Sequence, residues 1–321
     1  MKNYIWKSAF ASLINQYIEM KHLAGLKFID QEVHLQHFDH YLYYSGYEGT
    51  ALTKDILFPF NYDQGESEYT MHTKENLFLD FSKYIVSKGH YAYTFAPIYK
   101  FHSNHYVPHI YTRDERKKFL QAVDNYPVRN CSNRHIMDPV FFRIIIGTGC
   151  RLSEVLHLKI SDYDRSAGAI RVMHSKNYRS RIVPLCDSLN KRVCEYIDTF
   201  HAGSDEDTYL FPGKNGSLST TAAYIHFRDY LFLAGIPHTG DGPRIHDFRH
   251  TLAVENLRRW SQQRKDLTIL LPYLAAYMGH VDTSATQYYL RLTAEIYPEL
   301  LEQMEDACLN IIPEGGYTGE E

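Results

Sequence analysis

"DPVFFRIIIGTGCRLSEVLHLKISDYD", residues 138–164, reads as a hydrophobic helix broken at Gly147 and Gly149 and followed by a second helix that begins at Arg151. The glycines put Arg151 at a helix mouth. The partial positive field there and the guanidinium fork both favour an anion such as a phosphate. An arginine so placed can equally satisfy turn carbonyls, paired with Glu154 one turn on. "GTG" has neither a third glycine nor a preceding strand, so it does not indicate a dinucleotide site.

Downstream, "RIHDFRHTLAVENL" (244–257) places His246 and Arg249 three residues apart, on one face of a helix held to a core by Ala253, Leu257 and Trp260. A proton-transfer group and a fixed cation therefore point together. His250 reads as structural, pointing elsewhere and donating to a neighbouring backbone. "LPYLAAYMGHVDTSATQYYLRL" (271–292) ends a helix at Gly279, presents His280, and opens another helix at Thr283 or Ser284. Tyr288 and Tyr289 follow on it and diverge by about 100°, so at most one can face a site formed with Arg249 and His280. Taken alone, each tyrosine reads as an ordinary core aromatic.

The 321 residues, 44% of them apolar, suffice for two folded domains. No arginine precedes Arg113, yet residues 1–112 hold fourteen of the 27 tyrosines and nine of the 18 histidines. Two composition regimes imply two domains. A linker is placed near residues 97–111, before the capping box Thr112-x-x-Glu115. The first part shows helical spacing in "SAFASLINQYIEMKHLAG", "QEVHLQHFDHYLYYSG" and "KENLFLDFSKYIVSKGH". His34, His37 and His40 recur there every third residue, read as a polar helix face because no acidic or thiol partner stands at a useful spacing. In the second part "AIRVMHS" and "RSRIVPL" read as a β-hairpin around a polar turn at Lys176–Tyr178. The fold expected is mainly α with a small sheet.

The net charge of −4 argues against indiscriminate coating of nucleic acid. Residues 165–181 nevertheless carry Arg165, Arg171, Lys176, Arg179 and Arg181 with no carboxylate. They either track a polyanion or form a solvated hairpin. Five widely spaced cysteines suit reduced thiols, and no C-x-x-C pair suggests zinc. No apolar stretch approaches the roughly 20 residues of a membrane span, and "MKNYIWKSAF" has no signal-peptide features, so a cytoplasmic protein is expected.

The order Arg151, Lys176, His246-x-x-Arg249, Gly279-His280 and Tyr289 resembles the tyrosine recombinase (phage integrase) family. The resemblance runs from about residue 108 to 295 and includes "TGCRLSEVLHLKISD", "RIVPL", "YLFPGKNGSLS", "HDFRHTLAVENL" and "YMGHVDTSATQYYL". It implies a two-domain DNA clamp: a helical core-binding domain over 1–105, and a catalytic domain over 106–321 with a C-terminal helix and tail. By the family pattern Tyr289 attacks the scissile phosphate and forms a 3′-phosphotyrosyl intermediate. Arg151 and Arg249 stabilise the phosphate charge, Lys176 protonates the leaving 5′-oxygen, His246 acts as acid or base and His280 donates to the phosphate. Glu154 holds Arg151 or a site histidine in place, and Arg171, Arg179 and Arg181 are the expected DNA contacts. No metal or nucleotide cofactor is implied. The partners implied are double-stranded DNA and a homotetramer on two sites, with accessory proteins possible.

From Arg249 to His280 is 31 residues, a span with a charged extension that looks more like integrases and transposases of mobile elements. After Tyr289, "TAEIYPELLEQMEDACLNII" has the spacing of a helix that docks on a neighbouring protomer or packs in cis. Two other readings stay open: a topoisomerase of the type IB kind with the same cage, and a DNA-binding regulator that keeps the fold without cutting.

Overall fold

The computed structural model describes residues 4–62, 65–98, 107–130, 132–173, 180–214, 216–239, 242–279, 288–290, 292–293 and 297. The chain divides into two compact units, Met1–His105 and Tyr106–Glu321.

In the first unit the described helices are α1 (Ala11–Leu23), α2 (Ile29–Tyr44), α3 (Lys54–Asn61) and α4 (Glu68–Ser87). Their inward faces are aromatic. Phe10, Tyr17, Phe38, Phe78 and Phe81 are fully buried, and the Phe38 and Phe78 rings meet edge to face at 4.7 Å. Asp39, buried on α2, ties the N-terminal segment to this core. Its carboxylate accepts from the backbone N–H groups of Lys7 and Ser8 and from the hydroxyls of Ser8 and Tyr4. His34, His37 and His40 lie on α2, and among the described residues no group of three or more His, Cys, Asp or Glu could hold a metal.

In the second unit, α5 (Arg113–Asp124) opens with the expected box: Thr112 Oγ1 accepts from Glu115 N, and Glu115 Oε2 accepts from Thr112 N at 2.7 Å. The next helix, α6 (Arg134–Thr148), is the central one, with Phe141, Phe142, Ile144 and Ile145 buried. It does not break at Gly147. That glycine is helical, and a Cβ there would come within 3.3 Å of Leu189 Cδ2, so its lack of a side chain serves close packing. The break comes at Gly149, whose φ of 63° is the left-handed C-cap for which glycine is suited. The short α7 (Leu152–Leu156) follows, and then three antiparallel strands, β1 (Tyr163–Asp164), β2 (Ala169–Val172) and β3 (Arg181–Pro184). Val172 pairs with Arg181 and Ile170 with Val183; the turn expected at Lys176–Tyr178 lies outside the described residues.

The rest is α8 (Asp187–Phe200), the β4–β5 pair (Pro212–Gly213, Gly216–Ser217), α9 (Thr220–Leu233), α10 (Asp247–Gln262) and α11 (Leu267–Met278). The long span after Arg249 is therefore occupied largely by the remainder of α10 and by α11. Among the described residues no helix is long and apolar enough to cross a membrane.

Candidate active site

Three guanidiniums meet at the C-terminal turn of α11. Gly279 caps that helix at φ 67°, which ends the helical ladder and leaves its last carbonyls to other donors. Tyr277 O accepts from Arg181 Nε at 2.9 Å, Met278 O from Arg249 Nη2, and Gly279 O from Arg151 Nη2 at 3.2 Å. Three consecutive carbonyls thus hold arginines from three other segments, in the partial negative field of a helix end.

Arg249 has a second anchor. Its Nη1 donates to Gly149 O at 2.6 Å, so this side chain, 2% exposed, joins the C-caps of α6 and α11. A Cβ on Gly149 would fall 2.8 Å from Leu252 Cδ2, the movable end of that side chain, so it is the φ of 63° that requires glycine there. Burial lowers the Arg249 pKa, yet a guanidinium remains a cation in any protein.

Arg151 is the N-cap of α7. Its backbone N–H donates to Glu154 Oε2 at 2.8 Å and its Nη1 to Oε1 at 2.9 Å. Both carboxylate oxygens also accept from Arg181, at 2.9 and 2.8 Å. Burial opposes ionisation of Glu154, but the hydrogen bonds and charge of Arg181, with those of Arg151, outweigh it and hold the carboxyl down at about 2. Glu154 is a fixed anion that orients two cations.

Tyr289 lies beside this cluster on the helical turn 288–290, 3% exposed and packed with Ala253, Leu257, Leu274 and Met278. Burial pushes its phenol up, while the charge and hydrogen bond of Arg249, and then Arg151, pull it back. Tyr288 diverges and is 42% exposed. His246 caps α10 at the solvent-exposed mouth, where crowding by the protein and the charges of Arg249 and Arg151 press its imidazole down to about 4. It is neutral at pH 7 and can accept a proton.

The structure thus brings together Arg151, Glu154, His246, Arg249 and Tyr289. Lys176, Arg179 and His280 lie outside the described residues, as do 294–296 and 298–321, on which the C-terminal helix was expected. Arg171 is exposed and donates to Ser161 O, on the outward face of β2. Arg181 departs from the DNA contact expected of it. Its side chain is 11% exposed and committed to Glu154 and Tyr277 O. The reason is register: residues two apart in a strand share a face, and Val183 faces the core. His250 was also misplaced by the sequence reading. Its ring centroid stands 4.9 Å from that of His246 and 5.4 Å from that of Tyr289, and its i, i+4 relation to His246 was the signal that could have shown this.

A groove of about 1020 Å³ in this unit is lined by Ile110, Leu252, Trp260, Tyr273, Tyr277 and other residues. Neither the arginines at the α11 turn nor Tyr289 line it. The arrangement at that turn is a cage for a tetrahedral anion built from fixed donors, with a phenol beside it.

Comparison with known proteins shows the family to which this fold belongs. The description of one family, the phage integrase family, matches residues 110–295, and the chain belongs to that family, the tyrosine recombinases. It is 30% identical over 207 residues to the putative integrase/recombinase y4rB of Sinorhizobium fredii, covering 62% of this chain and 66% of that one. To the tyrosine recombinase XerA of Pyrococcus furiosus it is 28% identical over 201 residues, covering 61% and 62%. The matched segments span just under two thirds of the length of both relatives. Among solved structures, a lambda integrase tetramer bound to a Holliday junction has the same fold, with a TM-score of 0.58 at 16% identity over 85% of this chain and 77% of that one.

Proposed function

We propose that this chain is a site-specific DNA recombinase that cuts and rejoins strands by transesterification through a 3′-phosphotyrosyl intermediate. The observation that carries the reading is the placement of the Tyr289 phenol against Arg249, in a cage that Arg151 and His246 share. The Tyr289 oxygen attacks phosphorus and loses its proton, the neutral imidazole of His246 being an available acceptor. A phosphorus–oxygen bond to tyrosine forms as the bond to the 5′-oxygen breaks, and that oxygen takes up a proton, a role the family pattern gives to Lys176. Charge developing on the non-bridging oxygens meets Arg151 and Arg249, held in advance by carbonyls and Glu154, with His280 as a further donor. The covalent link conserves the bond energy for rejoining.

In this reading residues 1–105 are the core-binding arm and 106–321 the catalytic arm of a clamp on double-stranded DNA, with Arg171 and Arg179 as backbone contacts. The relatives, a putative integrase/recombinase and a tyrosine recombinase, support a recombinase, and the lambda integrase tetramer bound to a Holliday junction supports a homotetramer, for which two DNA sites are proposed. The span after Arg249 favours service to a mobile element, in the cytoplasm. The test is an adduct assay on nicked duplexes tiled from the DNA flanking the gene, with chelator present. A denaturant-resistant adduct should form with the wild type and vanish in Tyr289→Phe, with binding retained. An adduct that survives in Tyr289→Phe, or is lost in Tyr288→Phe instead, overturns the assignment.

A further inference from the structure

We propose that Arg181 is a positioning residue for strand cleavage, which sets the spacing of Arg151 and Arg249 by locking Glu154 to the C-terminal turn of α11. This rests on the recombinase reading above. The side chain is 11% exposed, and its donors go to three segments: both oxygens of Glu154, Tyr277 O, and the buried Cys150 Sγ at 3.8 Å. Glu154 in turn holds Arg151, and the next carbonyls along from Tyr277 O hold Arg249 and Arg151. The guanidinium also lies close to Gly279, where a Cβ would meet Nη1 at 2.8 Å and Cζ at 3.0 Å. From β3 the link to the arginine-bearing turn of α11 runs through Arg181, and from Glu154 on α7 it runs through Arg181 to Tyr277 O beside the direct bond of Arg151 to Gly279 O.

A planar fork is what such a bridge requires. Two nitrogens address a carboxylate in one plane while the third addresses a carbonyl, and a lysine can serve one of these partners but not all. Loss of the fork lets Glu154 and the α11 turn shift relative to each other. Misplacement of the cage by about 1 Å slows chemistry by about a hundredfold without removing any group that touches DNA.

The experiment compares wild type, Arg181→Lys, Arg181→Met, Glu154→Gln and the Arg181→Met/Glu154→Gln double variant on a nicked duplex. It measures single-turnover cleavage at saturating DNA, the Kd over a range of salt, and the melting temperature. The expected result is cleavage slowed about a hundredfold in Arg181→Met and less in Arg181→Lys, with the salt slope of Kd unchanged. The double variant should cleave no more slowly than the worse single variant, because the two residues act as one unit. Cleavage at the wild-type rate in Arg181→Lys and Arg181→Met overturns the proposal. So does a salt slope reduced by about 0.9, which marks a phosphate contact. Losses that multiply in the double variant mean independent roles and also overturn it. If Arg181→Met does not fold, Arg181→Lys and Glu154→Gln carry the same rate and slope comparison. A wild type that forms no tyrosine-dependent adduct defeats the recombinase reading and this inference with it; a normal adduct with indifferent Arg181 variants defeats this inference alone.

Discussion

Both units of the molecule bury charge, but in different ways. In the first unit Asp39 accepts from groups 31 to 35 residues away, and buried Lys74 donates to Phe60 O and Glu66, 14 and 8 residues away. These bonds close short stretches of one unit on themselves. In the second unit Arg151, Arg181 and Arg249 reach carbonyls 128, 96 and 100 residues away, and all converge on helix C-caps. A buried charge satisfied by its own neighbourhood staples a fold. Several like charges drawn to one turn from distant elements cost stability through their mutual repulsion, which Glu154 offsets only in part, and that arrangement suits the phosphate of the proposed reaction.

The sharpest way to break this contrast is Arg249. Arg249→Lys keeps the charge but cannot hold Gly149 O and Met278 O together in one plane. Single-turnover cleavage is expected to fall by about 10²- to 10³-fold, with DNA affinity changed far less. A loss confined to affinity, measured by titration of the same duplex, would make Arg249 a phosphate anchor like any other.

Asp39 tests the other side. Asp39→Ala leaves the Lys7 and Ser8 N–H groups and the Ser8 and Tyr4 hydroxyls without their acceptor. It should cost about 2–4 kcal/mol in urea unfolding, while cleavage by the folded protein at saturating DNA stays within about twofold. A large fall in that rate would mean the first unit does more than hold and bind.

Much of this contrast was legible in the residues. The Thr112 box, the strand pair before and after Lys176, the Arg151–Glu154 pair and the shared face of His246 and Arg249 are all local rules, three or four residues long or of period two. The carbonyl acceptors were not legible, since a backbone oxygen carries no sequence signature and its partner lies some hundred positions off. Gly147 and Arg181 were misread for the complementary reason. Gly147 reads as a helix breaker but sits within α6 close to Leu189, and Arg181 reads as a DNA contact but shares the inward face of β3 with Val183.

Glu154 sharpens the contrast through pH. Its carboxyl is held at about 2 against an ordinary 4.5, so its stabilisation is complete above about pH 4.5 and is lost as pH falls toward 2. At about 1.4 kcal/mol per unit this comes to about 3 kcal/mol. Acid unfolding of Glu154→Gln should lack that dependence between pH 4.5 and 2. An unchanged acid profile would mean the pair with Arg181 is not formed in solution.

The smallest expected effect is also the most direct probe of phosphate binding at the arginines. His246 sits at about 4, pressed down by crowding and then by the charges of Arg249 and Arg151, which outweigh the opposing charge of Glu154. Because the folded value lies below the ordinary one, an unfolded chain takes up the proton first as pH falls from about 6.5 toward 4, and the native state loses stability in that window. A phosphate seated between the two arginines compensates the charge that depresses the imidazole. The His246 ring proton, assigned by NMR through His246→Asn, should therefore titrate near pH 4 in the protein alone and at higher pH with a duplex carrying the cleavage site, with proton uptake on binding below neutrality. A value near 6.5 in the absence of DNA would mean that the guanidiniums do not converge until DNA brings them together. The cage would then be assembled by its substrate, and the contrast between the two units would hold only for the complex.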